Sequence, residues 1–294
     1  ATGRTISRIS IRIIAAPFRF MLPNAQAALK MPPMKIASFN INGVKARVQA
    51  LTDWLASTDA DLVVLQEIKS VDEGFPREHF QDLGWQVETH GQKGFNGVAI
   101  LSRLPLEDVT RGLPGDDADE QARYIEATVV GTHAVRIAGL YLPNGNPAPG
   151  PKYDYKLAWM ERLRLRAAEL LASELPVVML GDYNIIPEPR DAAHPDRWTE
   201  DALFLPQSRA AFRAIVNQGW TDAVRIRDPW ATRGPFTFWD YQGSAWERDN
   251  GIRIDHLLLS PQAADLMIET GVDRDARAGE KPSDHVPVWV RLAA

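Results

Sequence analysis

Short apolar runs of strand length recur along this chain, and several of them end in polar residues, carboxylates and amides among them. In PVVMLGDYNI (176–185) the run 177–180 is followed almost at once by Asp182 and Asn184. Continuous apolar runs without polar alternation suit strands buried on both faces. KIASFNI (35–41), DLVVLQE (61–67), FNGVAILS (95–102), YIEATVV (124–130), AVRIAGLYL (134–142), GIRIDHLLLS (251–260) and VPVWVRL (286–292) read as further strands. Between them, GVKARVQALTDWLAS (43–57) sets Val44, Val48, Leu51 and Leu55 at helical spacing. Residues 153–175 form the longest predicted helix, with Leu157, Met160, Leu163, Ala167 and Leu170 on one face. Strands of this kind mixed with amphipathic helices predict an α/β domain over residues 34–294, two packed sheets with helices outside.

The chain of 294 residues has no cysteine, which removes disulfides, thiolate zinc sites and thiol nucleophiles. That fits a reducing, cytoplasmic setting. No uncharged apolar run approaches the ~18 residues of a helical membrane span. The net charge is −5, but residues 1–33 carry Arg4, Arg8, Arg12, Arg19 and Lys30 and no acid, which leaves −10 on residues 34–294. An acidic body argues against a general electrostatic binder of nucleic acid. It leaves room for a carboxylate-lined metal site with local basic loops. Residues 1–33 are expected to be an overlong start or a disordered arm, with a targeting peptide as the alternative.

The strand ends gather Asn40 and Asn42, Glu67, Tyr141 and Asn144, Asp182 and Asn184, Asp255, and Asp284 with His285. Residues two apart on a strand share a face, so Asp182 and Asn184 point into one pocket if the chain stays extended past Gly181. Asp284 and His285 are adjacent and need a turn, which Pro282-Ser283 supplies. Singly, each has a plain reading: a solvated strand end, a helix cap, or, for Asp255, a partner for Arg253. Together they amount to several carboxylates at the ends of buried runs, which is costly unless they are paired or metal-bound. Hard oxygen donors with a histidine and no thiol suit Mg²⁺ or Mn²⁺ and phosphoryl displacement by an activated water. The P-loop, zinc-protease and serine-hydrolase motifs are absent, and GQKGFNG (91–97) lacks dinucleotide-binding spacing. A retaining glycosidase also uses two carboxylates, and spacing alone leaves it open.

SFNING, LQEIK, GQKG, LYLPNG, GDYNI, FWDY, RIDHLL and EKPSDHVPVW occur in that order from about Met34 to Leu292. Together they resemble the exonuclease III family of apurinic/apyrimidinic endonucleases, in the endonuclease/exonuclease/phosphatase superfamily. The resemblance implies a four-layered, DNase I-like α/β sandwich. It implies a Mg²⁺-dependent (or Mn²⁺-dependent) DNA-repair hydrolase that cuts 5′ to abasic sites, with 3′→5′ exonuclease and 3′-phosphodiesterase activities beside it. The implied partner is double-stranded DNA with abasic or 3′-blocked lesions, bound by a monomer. Carried over by motif, Glu67 is the main metal ligand, with Asn42 and Asp284 near the metal. Asp182 positions or activates the attacking water, and Asn40 and Asn184 orient it and the phosphate. His285, held by Asp255, bonds the phosphate in a pair that favours a charged imidazole. Tyr141 contacts the phosphate. For the substrate, Lys93 and Asn144 meet DNA, as does Lys152 or Lys156. Phe238, Trp239, Ile252 and Ile254 fall around a pocket for a flipped abasic sugar, Phe238 and Ile252 foremost. The chain departs from some of the family in having no arginine between Asn144 and Lys152. The rivals are another phosphodiesterase of the superfamily and a non-catalytic nucleic-acid-binding regulator. The second would be expected to have lost metal or water-activating positions, and here they are all present.

Overall fold

A computed structural model describes residues 33–131 and 133–293; the expectation for the N-terminal arm falls outside them apart from Pro33. In chain order the strands are β1 (Met34–Asn40), β2 (Leu62–Gln66), β3 (Gln86–His90), β4 (Val98–Ser102), β5 (Leu106–Arg111), β6 (Tyr124–Val130), β7 (Ala134–Tyr141), β8 (Val177–Asp182), β9 (Thr221–Asp222), β10 (Asp255–Leu259), β11 (Met267–Val272) and β12 (Val288–Leu292). The helices are α1 (Val48–Ser57), α2 (Arg77–Asp82), α3 (Pro151–Ala172), α4 (Pro206–Val216), α5 (Ala223–Arg227) and α6 (Pro261–Asp265).

The strands form two six-stranded sheets, ordered β11-β12-β1-β2-β4-β3 and β5-β6-β7-β8-β10-β9. Ile36, Val64 and Ile100 of the first pack against Ile137, Val178, Leu180 and Leu257 of the second. On the outer face of the first sheet, Leu51, Trp54 and Leu55 of α1 and Phe80 of α2 cover Phe39, Val63 and Leu65. On the outer face of the second, Trp159, Met160 and Leu163 of α3 and Phe212 of α4 cover Leu140, Met179 and Leu258. This is the expected four-layered sandwich. Both faces of the inner strands are covered, so β1, β2, β4 and β8 are buried at every position. Each aliphatic side chain buried this way stabilises the fold by about 2 kcal/mol. The edge strands β5 and β11 have no buried position, carry little apolar signal, and were not anticipated.

Two parallel pairs set the position of the site. β1 runs parallel to β2, with Asn40 opposite Gln66, and β7 runs parallel to β8, with Tyr141 opposite Asp182. β10 is antiparallel to β8 and begins at Asp255, directly across from Asp182. The apolar run 251–260 is therefore strand only from Asp255. Before that, Ile252 makes isolated bridges to Ala192 and Phe238.

Candidate active site at the strand ends

Asn40, the last residue of β1, ties the two sheets together: its Nδ2 donates to Glu67 Oε1 (3.1 Å) and to Asp182 Oδ2 (3.0 Å). Its Oδ1 accepts from the Asn42 backbone N–H (3.0 Å). Asp182 closes β8 after Gly181, whose φ is +155°. A Cβ at Gly181 would lie 1.9 Å from the Leu140 carbonyl oxygen, so no other residue fits there. The chain does not stay extended beyond it. Asn184 is left-handed (φ 47°), and its N–H turns back to Asp182 Oδ1 (2.9 Å). Its side chain binds Leu142 O (2.9 Å) and accepts from Asn144 Nδ2 (3.1 Å). Asp182 and Asn184 thus meet through a turn and not through a shared strand face. Asn42, Glu67, Lys69 and Asn96 are left-handed as well, a backbone state that non-glycine residues hold only where their surroundings impose it.

Asp255 Oδ2 lies 2.9 Å from His285 Nδ1, and His285 Nε2 lies 3.7 Å from Asp182 Oδ2. Arg253 turns away from Asp255 to Asp191 (2.7 Å) and Asp222 (2.8 Å), which leaves Asp255 to the histidine. Burial opposes a charge on His285, but the carboxylates of Asp255 and Asp182 outweigh it and raise its pKa, so the ring is an imidazolium. Burial also raises the pKa of Asp182, and Asp255 and Glu67 add to the rise while His285 opposes it. Glu67 goes the other way: burial is outweighed by Lys69 and Asn40, and its pKa falls. Tyr141 is raised well above its ordinary range by burial and by the charges of Glu67 and Asp182, so it remains a phenol and a donor. The Arg123 guanidinium lies over its ring at 4.9 Å.

Glu67, Asp182 and His285 bring one candidate ligand atom each within 4.8 Å of one another. His285 Nδ1 is taken by Asp255, and the carboxylate and amide oxygens are the donors that suit a hard cation. They extend in a line. Lys69 Nζ sits 2.9 Å from Glu67 Oε2 and bonds Asn42 Oδ1, and Asn42 Nδ2 bonds Asp284 Oδ1 (3.0 Å). Glu67 and Asn42 thus already share a positive charge, the Lys69 ammonium. Asp255 Oδ1 is buried with no hydrogen-bond partner. Carboxylate and amide oxygens around a cationic position fit a hard divalent ion. Lys69 itself was given no role from sequence; its place two residues after Glu67 in LQEIK was the available signal.

The predicted substrate residues divide. Phe238 is half-buried with its ring against His285 (centroids 5.0 Å apart), beside Ile252. Ile252 and Ile254 are buried in a small apolar cluster with Ile186, Ala192, Leu203 and Phe204. Trp239 corrects the expectation: its ring has no exposed surface and packs with Phe236 and Val286, its Nε1 on Asp249 (3.2 Å). Lys93, Lys152 and Asn144 are exposed. Lys156 is a second correction, because it is wholly buried and cannot reach a phosphate. The loop carrying Lys93 also exposes Phe95, next to Asn96, whose carbonyl accepts from the Lys69 N–H (3.0 Å).

The pattern that defines the Endonuclease/Exonuclease/phosphatase family matches residues 37–285. The chain belongs to this family. It is 36% identical over 267 residues to exodeoxyribonuclease III of Haemophilus influenzae, covering 88% of this chain and 100% of that protein. Among solved structures, an AP endonuclease from Archaeoglobus fulgidus superposes with a TM-score of 0.84 at 34% identity, covering 89% of this chain and 100% of that one. The 3′ phosphatase NExo from Neisseria, bound to product DNA hairpin, gives a TM-score of 0.84 at 36% identity, again over 89% and 100%. Within the family the chain is an exonuclease III-type enzyme, a hydrolase of the DNA-repair nucleases.

Proposed function

We propose that this enzyme hydrolyses the phosphodiester 5′ to an abasic site in duplex DNA with Mg²⁺, or Mn²⁺ in its place, and that the same site trims 3′ blocking groups and 3′ ends. The observation that carries the reading is the surroundings of Asp182. It is a buried carboxylate aimed by Asn40 Nδ2 and the Asn184 N–H, with no permanent cation bonded to it. Such a group takes a proton from water more readily than an ion-paired carboxylate does. Asp182 accordingly orients and deprotonates the attacking water. The His285 imidazolium, fixed by Asp255, donates through Nε2 to a phosphate oxygen. The Tyr141 phenol donates to the same phosphate. Glu67, Asn42 and Asp284 would hold the metal ion, which when bound stabilises charge on the phosphate. Phe238, at the edge of the apolar cluster, offers a wall for an extruded sugar lacking a base, which gives up little stacking when it leaves the helix. Lys93 contacts flanking phosphates. The protein acts as a monomer in the cytoplasm.

The test is a gel assay on a duplex carrying a single abasic analogue, with Mg²⁺ or EDTA and an Asp182→Ala control. Cleavage on the 5′ side of the lesion is expected in Mg²⁺ only, and only from the wild type. Intact duplex in Mg²⁺, or normal cutting by Asp182→Ala, would overturn the assignment. A recessed 3′ end and a 3′-phosphorylated end in parallel lanes report the end-directed activities.

A further inference from the structure

Lys156 lies on the second turn of α3 and has no exposed surface. Taking an ammonium out of water costs several kcal/mol unless its surroundings repay it. Among the described residues no carboxylate touches this one. Its Nζ donates to two backbone carbonyls, Asn184 O (2.7 Å) and Asn144 O (3.0 Å). Burial lowers its pKa to about 7, against the more distant charges of Asp182 and Asp201. The chain also reserves room for it. Gly145 has a φ of +90°, and a Cβ there would lie 2.6 Å from Lys156 Cδ, so the glycine of LYLPNG lets the lysine stem pass.

The two carbonyls belong to the segments that leave β7 and β8, and both segments enter the site. Asn144 Nδ2 donates to Asn184 Oδ1, Asn184 Nδ2 donates to Leu142 O, and the Asn184 N–H holds Asp182 Oδ1. The Asn184 residue is thus gripped at its carbonyl by Lys156 while its N–H grips the carboxylate. Its left-handed backbone needs such an external hold. A packing side chain at position 156 would fill the same space without clamping either carbonyl.

We propose that Lys156 is a positioning residue for hydrolysis: by clamping the Asn144 and Asn184 carbonyls, it fixes the turn whose N–H aims the Asp182 carboxylate at the attacking water. This rests on the reading of Asp182 as the water-activating group. Misplacing a reacting group by about 1 Å costs about a hundredfold in rate, without a matching loss of substrate affinity.

The test uses Lys156→Met, which keeps the shape and removes the donors, and Lys156→Ala, which opens space for a small amine. Steady-state cleavage of the abasic duplex is measured with melting curves and with Asp182→Ala alongside. For Lys156→Met, kcat should fall about a hundredfold and KM should stay within about threefold. In Lys156→Ala, propylammonium should restore kcat where 1-propanol does not, with the melting temperature unchanged by either. The inference is overturned if folded Lys156→Met keeps kcat within about twofold, or if its loss lies in KM alone. Should Lys156→Met fail to fold, the amine experiment decides: no recovery, recovery with propanol equal to that with amine, or recovery that tracks melting temperature marks a purely structural lysine. If Asp182→Ala cuts normally, the reading of the site fails first and the inference falls with it; if Asp182→Ala is dead and Lys156→Met is not impaired, only the inference fails.

Discussion

Glu126 on β6 and Asp182 on β8 are buried carboxylates in the same sheet, and their surroundings are opposite. Glu126 accepts from Arg136 Nη2 (2.7 Å), from Arg166 Nε (2.7 Å) and Nη2 (2.8 Å), and from the Tyr124 hydroxyl. The guanidiniums and the phenol overcome burial and hold its pKa below the usual range. Asp182 receives an amide, a backbone N–H and a nearby imidazolium, and there burial prevails. Permanent cations bonded directly to a buried carboxylate fix its charge and make it a brace. Without them the carboxylate can exchange a proton, which a water-activating group must do.

The sharpest way to break the contrast is to neutralise each acid. Asp182→Asn should lower cleavage by about a thousandfold while changing stability by less than about 1 kcal/mol. Glu126→Gln should do the reverse: activity per folded molecule within about threefold of wild type, with unfolding easier by about 3 kcal/mol because Arg136 loses its buried counter-charge and Arg166 keeps only the exposed Glu169. Denaturant melts and single-turnover rates on the same preparations check both. Equal activity losses would erase the distinction.

Metal removal should act about as strongly as loss of Asp182. EDTA should abolish cleavage, and Mg²⁺ should raise the melting temperature of the wild type but not of Glu67→Gln, since binding to the native state alone stabilises it. A thermal-shift titration reads this out. At Glu126, with both guanidiniums in place, no such response is expected.

The two buried histidines extend the comparison to pH. His285 sits between carboxylates, which oppose burial and raise its pKa. His256 is lowered to about 4 by burial and then by the Arg253 charge. Arg253 can only donate to His256 Nδ1 and Ile185 O can only accept, so the neutral ring carries its proton on Nε2. The unfolded chain therefore binds the extra proton first as pH falls. The stability from His256 is complete above its ordinary value of 6.5 and is lost as pH falls through about 4. The loss is on the order of 3 kcal/mol at most. Melting temperatures from pH 7 to 4 should fall less steeply in His256→Phe, which keeps the packing on Tyr183 and Phe212. The smallest effect belongs to the exposed Lys93: Lys93→Ala should leave kcat unchanged and reduce the salt dependence of DNA binding by about one charge.

The layers were legible because the inner strands are covered on both faces and therefore carry unbroken apolar runs, as in 62–65 and 177–180. The edge strands β5 and β11 were not, because an exposed strand needs no such run. Asp182, Asp255 and His285 were legible as candidates because a charge at the end of a buried run needs a reason. Lys69 was not singled out, and Lys156 was offered beside Lys152 as a phosphate contact, because a lysine is usually a solvated surface group and nothing in its immediate sequence says which way it turns.

By itself the sequence determined the sandwich, the end of the sheets where the site lies, and the residue types gathered there, since apolar period and residue chemistry are local properties. Only the tertiary structure decided how those residues are used. It brought Asn40 to Asp182 across 142 positions, turned Asn184 back onto the carboxylate, sent Trp239 into the core and drew Lys156 beneath Gly145. The reason is electrostatic as well as geometric: the charge of a buried group depends on neighbours supplied by distant strands, and those neighbours exist only once the sheets have packed.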